Sequence, residues 1–166
     1  FSRLSPRTLG LALFSLCAAL LAFGLYLQHV KGIEPCPMCI MQRYAMAACG
    51  LIGLVAGLHN PKGRGLFLYA GLLAVAALAG GGVAARQSWL QWFPPSVSEC
   101  GPGLEYMLES FPLTSALPMI FRGAGDCSAI DWTFLGLSIA NWSFVVFALI
   151  LISLASFLLQ RRAPRG

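Results

Sequence analysis

Pro35-Cys36-Pro37-Met38-Cys39-Ile40-Met41-Gln42-Arg43 opens an apolar run that continues to Leu58, and the reading of this junction decides the fold. Two cysteines separated by two residues can close a small disulfide ring or share one metal ion at the start of a helix. Proline lacks a backbone N–H and holds φ near the helical value. Pro35 and Pro37 therefore suit a first helical turn and would break a helix interior. The cysteine pair is expected at a helix N-terminus, where unpaired N–H groups and the positive end of the helix dipole favour a thiolate. Arg43 follows Cys39 by one turn, so its guanidinium shares that face and adds to the same field.

The run after the motif is one of four, at Leu9 to Gln28, Cys39 to Leu58, Leu66 to Ala85 and Asn141 to Leu159. Each has about the length that crosses a hydrocarbon core of roughly 30 Å at about 1.5 Å per residue. With 58% hydrophobic and 10% charged residues, the chain falls outside the soluble globular class. The expected architecture is all-α: a polytopic four-transmembrane-helix bundle forming a single membrane domain over residues 1–166, with outer loops at about 29–38 and 86–140. The first run is read as a permanent helix, because no small-residue cleavage site follows it.

Charge sets the orientation. If the spans alternate, one side holds Arg3, Arg7, Lys62, Arg64, Arg161, Arg162 and Arg165 and no acid, and the positive-inside rule makes that side cytoplasmic. The other side and its helix ends hold Lys31, Arg43, Arg86 and Arg122 with all six acids, Glu34, Glu99, Glu105, Glu109, Asp126 and Asp131. The net charge of +5 thus reports topology. No nucleic-acid surface is expected, since the basic residues are split among short segments without interleaved stacking aromatics. Trp89, Trp92, Trp132 and Trp142 flank the outer ends of the third and fourth spans as an aromatic belt. Cys36, Cys39, Cys100 and Cys127 then face the compartment where disulfides persist. Cys17 and Cys49 fall inside spans and are read as small apolar packing residues.

Small residues run through the second and third spans, among them Gly50, Gly53, Ala56 and Gly57, then Gly80-Gly81-Gly82, and close helix packing accounts for them. Gln28 and His29 lie near the outer end of the first span, and His29 is read as an interfacial polar residue. The segment from Arg86 to Ala140 is the longest outside the spans, and such loops usually carry function. Within it Leu104, Met107, Leu108 and Phe111, then Leu113, Ala116, Leu117 and Ile120, recur at helical spacing. These stripes predict short helices lying on the membrane surface, interrupted at Pro112 and Pro118. Cys100 and Cys127 lie beside the flexible breaks Gly101-Pro102-Gly103 and Gly123-Ala124-Gly125.

Two outer cysteine pairs admit three chemistries. A structural loop disulfide beside an unrelated pair leaves Arg43 unexplained, since a guanidinium at the centre of a span costs roughly 2.5 to 3.5 kcal/mol and such residues usually mark a site. A four-cysteine zinc site expects two close-spaced pairs, whereas Cys100 and Cys127 are far apart in sequence with no histidine near. A disulfide relay would exchange electrons with a soluble dithiol partner and pass them to Cys36 and Cys39 through mixed disulfides. No Fe–S, haem or dinucleotide motif is present to take the electrons onward. A helix-start thiolate beside Arg43 at the membrane interface is placed to meet a lipid-soluble oxidant such as a quinone.

Pro35-Cys36-Pro37-Met38-Cys39 with Arg43, Cys100-Gly101-Pro102-Gly103-Leu104-Glu105-Tyr106-Met107-Leu108, and Gly125-Asp126-Cys127 followed by Trp132-Thr133-Phe134-Leu135-Gly136-Leu137 resemble the DsbB family of inner-membrane disulfide bond formation proteins. The resemblance covers nearly the whole chain, with both cysteine pairs in register. It implies a protein-dithiol:quinone oxidoreductase of the bacterial inner membrane, with cytoplasmic termini and periplasmic redox cysteines. Cys100 would form a mixed disulfide with a periplasmic DsbA-like thioredoxin-fold partner, Cys127 would communicate with Cys36, and Cys39 would face ubiquinone or menaquinone. Arg43 would hold a quinone oxygen, with Gln87 nearby as a further cofactor-binding residue; no metal is implied. Gln42 and Gln87 depart from the best-known member, which carries a glutamate and a histidine there. A DsbA-like partner sits near roughly −120 mV, a value characteristic of DsbA itself, so an ordinary dithiol couple at about −270 mV would oxidise it only uphill, by about 7 kcal/mol. A quinone makes the reaction downhill. The rival readings are a vitamin K epoxide reductase-like protein, whose loop cysteines precede the paired motif, and a metal-binding membrane protein.

Overall fold

The computed structural model of the chain describes residues 5–94, 104–122 and 128–162. Four helices in it are long and apolar enough to cross a membrane: α1 (Pro6–His29), α2 (Pro37–His59), α3 (Arg64–Trp92) and α6 (Ile139–Arg162). Between α3 and α6 come the short helices α4 (Leu104–Ser110) and α5 (Leu113–Arg122) and a hairpin of β1 (Thr133–Phe134) and β2 (Leu137–Ser138). The fold is a polytopic all-α bundle, and among the described residues this hairpin is its one exception.

The helix ends follow local chemistry. Ser5 caps α1 by accepting the Thr8 N–H at 3.2 Å, with Pro6 in the first turn. Cys36 does the same for α2, accepting the Cys39 N–H with Pro37 behind it. A sulfur thus takes the place usually held by a hydroxyl or carboxylate oxygen. Asn60 ends α2 in the left-handed region at φ 48°, where its short amide side chain is tolerated. Ser138 precedes α6, accepting the Asn141 N–H at 3.4 Å and donating to Gln91 Oε1 on α3 at 2.5 Å.

Neighbouring spans are antiparallel, so the end of α1, the start of α2, the end of α3 and the start of α6 gather at one end of the bundle. α1 packs on α2, α2 on α3 and α3 on α6, while α1 and α6 have little direct backbone contact and leave a cleft. Small residues enable the first of these contacts: a Cβ on Gly10 would strike the Gly53 carbonyl and the Gly57 backbone. In the Gly80-Gly81-Gly82 run only Gly80 is pressed, against the Phe147 ring and Ala45, whereas Gly82 has open space. Cys17 and Cys49 sit fully buried with Met46, Ala77, Ala84, Phe147 and Ile150, as packing residues would. Leu51, Leu68, Val75, Leu149 and Ile152 face outward, which suits a lipid-facing surface.

α5 lies against the bundle near the cysteine motif, with Ala116 buried and Met119 packed on the cluster of Cys36, Met38, Val83 and Leu90. Its Leu113 and Leu117 remain exposed. Pro112 lies at the start of α5, its carbonyl accepting from Ser115 and Ala116. Pro118, expected to interrupt, lies within α5. Lacking an N–H, Pro118 cannot make the helical bond to the Thr114 carbonyl, and Thr114 is exposed. The hairpin has no counterpart in the helical reading. Leu135 at φ 53° and Gly136 at φ 79° form its turn, matching the two positive φ values that a type I′ turn needs. Leucine is strained there, and Trp142 Nε1 donating to the Phe134 carbonyl at 3.0 Å ties the hairpin to α6.

Candidate functional site: a dithiol at the head of a membrane helix

The site grows from the capped start of α2. Because Cys36 occupies the cap position, its sulfur turns back over the first turn and meets Cys39. The Sγ atoms lie 3.0 Å apart as thiols, and the Cys39 N–H reaches Cys36 Sγ at 3.3 Å. Cys36 is buried and Cys39 half-buried. Both sulfurs therefore sit where the unpaired amides of the helix start supply positive potential.

The end of α3 faces them. Gln87 is 2% exposed, and its Nε2 donates to Cys36 Sγ at 3.3 Å and to Cys39 Sγ at 3.2 Å. Its Oε1 accepts from Gln42 Nε2 at 2.6 Å, and Gln42 is itself 4% exposed. Arg43 reaches across to α1, where Nη1 donates to Gln28 Oε1 at 2.5 Å and Nη2 to the Gly24 carbonyl at 3.1 Å. Among the described residues its partners are neutral oxygens rather than carboxylates.

These groups open on a cavity of about 600 Å³ in the cleft between α1 and α6. Cys36, Cys39, Gln42, Arg43, Gln87 and Gln91 supply its polar wall, and aliphatic and aromatic side chains such as Leu20, Leu27, Met46 and Val146 supply the rest. Phe23, Trp132, Phe134 and Trp142 stand around its mouth, with the Phe23 and Trp132 rings 5.5 Å apart edge to face. Glu34 and Asp131 also line it, and both are exposed.

Of the residues expected from sequence, Cys36, Cys39, Arg43 and Gln87 thus border one cavity. Cys100 and Cys127 lie outside the described residues. Gln28, to which the sequence reading gives no role, holds the guanidinium. Its signal was its position at the end of the first span, level with an arginine one turn into the next. Gln91 was also missed. It lies one helical turn beyond Gln87, and two amides at that spacing past an apolar span mark a polar stripe aimed inward. Among the described residues no cluster of three or more histidine, cysteine or acidic side chains is arranged to hold a metal.

Four membrane-length helices with a dithiol set into the head of one, at the wall of an apolar cavity, define a polytopic membrane protein built for thiol–disulfide chemistry. The profile of the family described as Disulfide bond formation protein DsbB matches residues 6–157, and the chain belongs to that family. It is 76% identical over 141 residues, 85% of each chain, to Disulfide bond formation protein B of Azoarcus sp. (strain BH72). It is 61% identical over 158 residues, 95% of each chain, to Disulfide bond formation protein B of Aromatoleum aromaticum. A similar relative from Paracidovorax citrulli is 54% identical over 164 residues, 97% of this chain and 90% of that one. The protein is accordingly an oxidoreductase of disulfide bond formation.

Proposed function

We propose that this protein reoxidises a periplasmic DsbA-like dithiol protein and passes the electrons to a membrane quinone, ubiquinone or menaquinone. The observation that carries the proposal is the Cys36 and Cys39 dithiol forming one wall of a cavity whose other polar wall is a guanidinium. At about 600 Å³ the cavity falls in the roughly 300 to 1,000 Å³ range of small-molecule sites, and its mostly apolar lining with few convergent polar groups suits a quinone ring. A bound quinone would supply a two-electron, two-proton acceptor at membrane depth.

The chain's own residues have divided tasks. Cys100 exchanges with the partner, and Cys127 carries the disulfide exchange to Cys36. Each step is attack by a thiolate on a disulfide sulfur, with the displaced sulfur leaving as the next thiolate. Cys39 is the sulfur presented to the cavity. Arg43, braced by Gln28 and Gly24, would supply a fixed cation to hold a quinone oxygen in this cavity. The chain is placed in the bacterial inner membrane as a single membrane domain with periplasmic cysteines and cytoplasmic termini. Supporting this, Arg7, Lys62, Arg64 and Arg161 lie at the helix ends opposite the dithiol.

Purified protein in detergent, given a reduced thioredoxin-fold dithiol protein and a water-soluble ubiquinone analogue, should bleach the quinone absorbance one for one with partner disulfide formed. Partner oxidation without quinone consumption, or stoichiometric zinc bound to the four outer cysteines, would overturn the proposal.

A further inference from the structure

The geometry points to Gln87 as a catalytic residue of the sulfur chemistry: its side-chain amide nitrogen forms a neutral clamp on Cys36 and Cys39, aimed by Gln42, that stabilises the negative charge released on Cys39 when their disulfide opens. The inference rests on the reading above that this pair cycles between disulfide and dithiol.

An amide is a two-faced group, and its usefulness to a sulfur depends on which face is presented. Here the choice is made by Gln42, whose Nε2 donates to Gln87 Oε1 at 2.6 Å and so turns Gln87 Nε2 toward the cysteines. That nitrogen lies 3.3 Å from one sulfur and 3.2 Å from the other, while Cys39 Sγ stands 3.6 Å from the amide oxygen. Both sulfurs, 3.0 Å apart, lie within reach of that one nitrogen, so a single amide group donates to the pair. Gln87 and Gln42 are almost wholly buried, so water does not compete for these bonds.

The charge flow calls for such a clamp. An incoming thiolate attacks Cys36 Sγ, a new S–S bond forms between those sulfurs, and the Cys36 to Cys39 bond breaks. The electron pair of the broken bond stays on Cys39 Sγ as a thiolate, and no proton moves. Negative charge therefore arrives on a half-buried sulfur at the moment of cleavage, where a donor already in place needs no reorganisation. Because neither glutamine titrates, the clamp stays the same at any working pH. Among the described residues, the titratable or charged groups around it are Cys36 and Arg43 on α2, Glu34 ahead of α2 and Asp131 ahead of the hairpin. α3 presents only neutral Gln87 and Gln91 to the cavity, and the α5 side chains packed near the dithiol, Ala116 and Met119, carry no charge.

The test uses the reduced full-length protein without quinone or partner and reads alkylation of Cys39 by iodoacetamide, resolved by mass spectrometry. At pH 7, Gln87→Leu should slow Cys39 alkylation severalfold, up to on the order of tenfold, because the lost hydrogen bond to a charged group lowers the thiolate fraction. At pH 10, where the thiolate forms without help, its rate should converge on that of the unmodified protein. Gln42→Leu, which leaves the amide but unfastens it, should give a smaller deficit with the same recovery. Gln87→Glu fills the same volume with an acceptor and should be slowed at least as much as Gln87→Leu, so the question stays answerable should the leucine variant misfold. Unchanged rates at pH 7, or a deficit that persists undiminished at pH 10, would overturn the clamp. Since no quinone is present, a normal clamp result with no quinone turnover would overturn only the quinone reading.

Discussion

Arg43→Met separates a structural arginine from a functional one. The guanidinium makes two hydrogen bonds to α1, to Gln28 Oε1 at 2.5 Å and to the Gly24 carbonyl at 3.1 Å. Removing it strands two acceptors, a loss of about 1 to 3 kcal/mol for each that stays unsatisfied, and Gln28 is only half-buried and free to turn. The same change relieves the burial of a charge in a membrane helix, about 2.5 to 3.5 kcal/mol at a span centre and less near its end. These terms offset, so the thermal midpoint in detergent should move little. The quinone constant should not be spared. Loss of a charge-assisted hydrogen bond to the quinone oxygen, about 1.5 to 3 kcal/mol, predicts a rise in the apparent KM of roughly ten- to a hundredfold. Gln28→Leu keeps the charge and loosens only its brace while the Gly24 bond remains, so KM should rise less than in Arg43→Met, by roughly two- to tenfold. Arg43→Lys should fall between the unmodified protein and Arg43→Met, retaining charge without the planar fork. The assay is initial rate against concentration of a soluble quinone analogue. Thiol exchange with the partner is measured separately and should survive in all three variants. A normal KM in well-folded Arg43→Met would remove Arg43 from the site.

Three further outcomes are expected. Cys36, Cys39, Cys100 and Cys127, once reduced, should react with a membrane-impermeant thiol reagent applied from the periplasmic side; labelling from the cytoplasmic side alone would invert the orientation. Cys100→Ser or Cys127→Ser should abolish partner oxidation and Cys36→Ser or Cys39→Ser quinone reduction, whereas Cys17→Ala and Cys49→Ala should stay active; an inactive but folded member of the last two would refute their packing role. Gly80→Leu should lower the thermal midpoint by forcing bulk into the Phe147 ring, a strain of typically 1 to 3 kcal/mol, while Gly82→Ala, which meets nothing within 4 Å, should match or exceed the parent. Equal stability of the two glycine variants would contradict the α3 to α6 packing.

Much of this fold was legible because each decisive signal was local. The four spans follow from length and apolarity alone, and the position of Cys36 at a helix start follows from two prolines whose φ and missing N–H admit few alternatives. Residues far apart in sequence were harder. Nothing near Gln28 says that its amide meets Arg43, because that contact depends on how α1 is rotated against α2, which is set by Gly10 nesting on Gly53 and Gly57. Gln87 was placed near the site by resemblance, but its role was expected toward the quinone. The structure sets its amide on the sulfurs, a distinction that depends on a few tenths of an ångström and on a second glutamine. The hairpin escaped because its turn uses leucine in the left-handed region, which propensity argues against, and only the anchoring by Trp142 makes it tolerable.

The polar wall of the cavity has a consistent electrical character. Gln42, Gln87 and Gln91 line it, Gln28 supports it from behind, and the fixed charge among them is Arg43. Glu34 and Asp131 reach the same cavity from exposed positions, where solvent screens them. Among the described residues of the inner wall, joined cysteines leave Arg43 as a cation with no carboxylate bonded to it, and a Cys39 thiolate offsets that charge. Burying a lone charge is costly, and a partner charge relieves part of that cost. The arrangement therefore favours the state in which electrons have reached Cys39, and the amides add hydrogen bonds without adding a charge that would have to be neutralised. A carboxylate at position 42 would cancel Arg43 beforehand and remove that bias. Gln42→Glu should accordingly make the Cys36 and Cys39 disulfide harder to reduce in a glutathione redox buffer, and an equilibrium unchanged by that substitution would show that the cation does not act on the sulfurs.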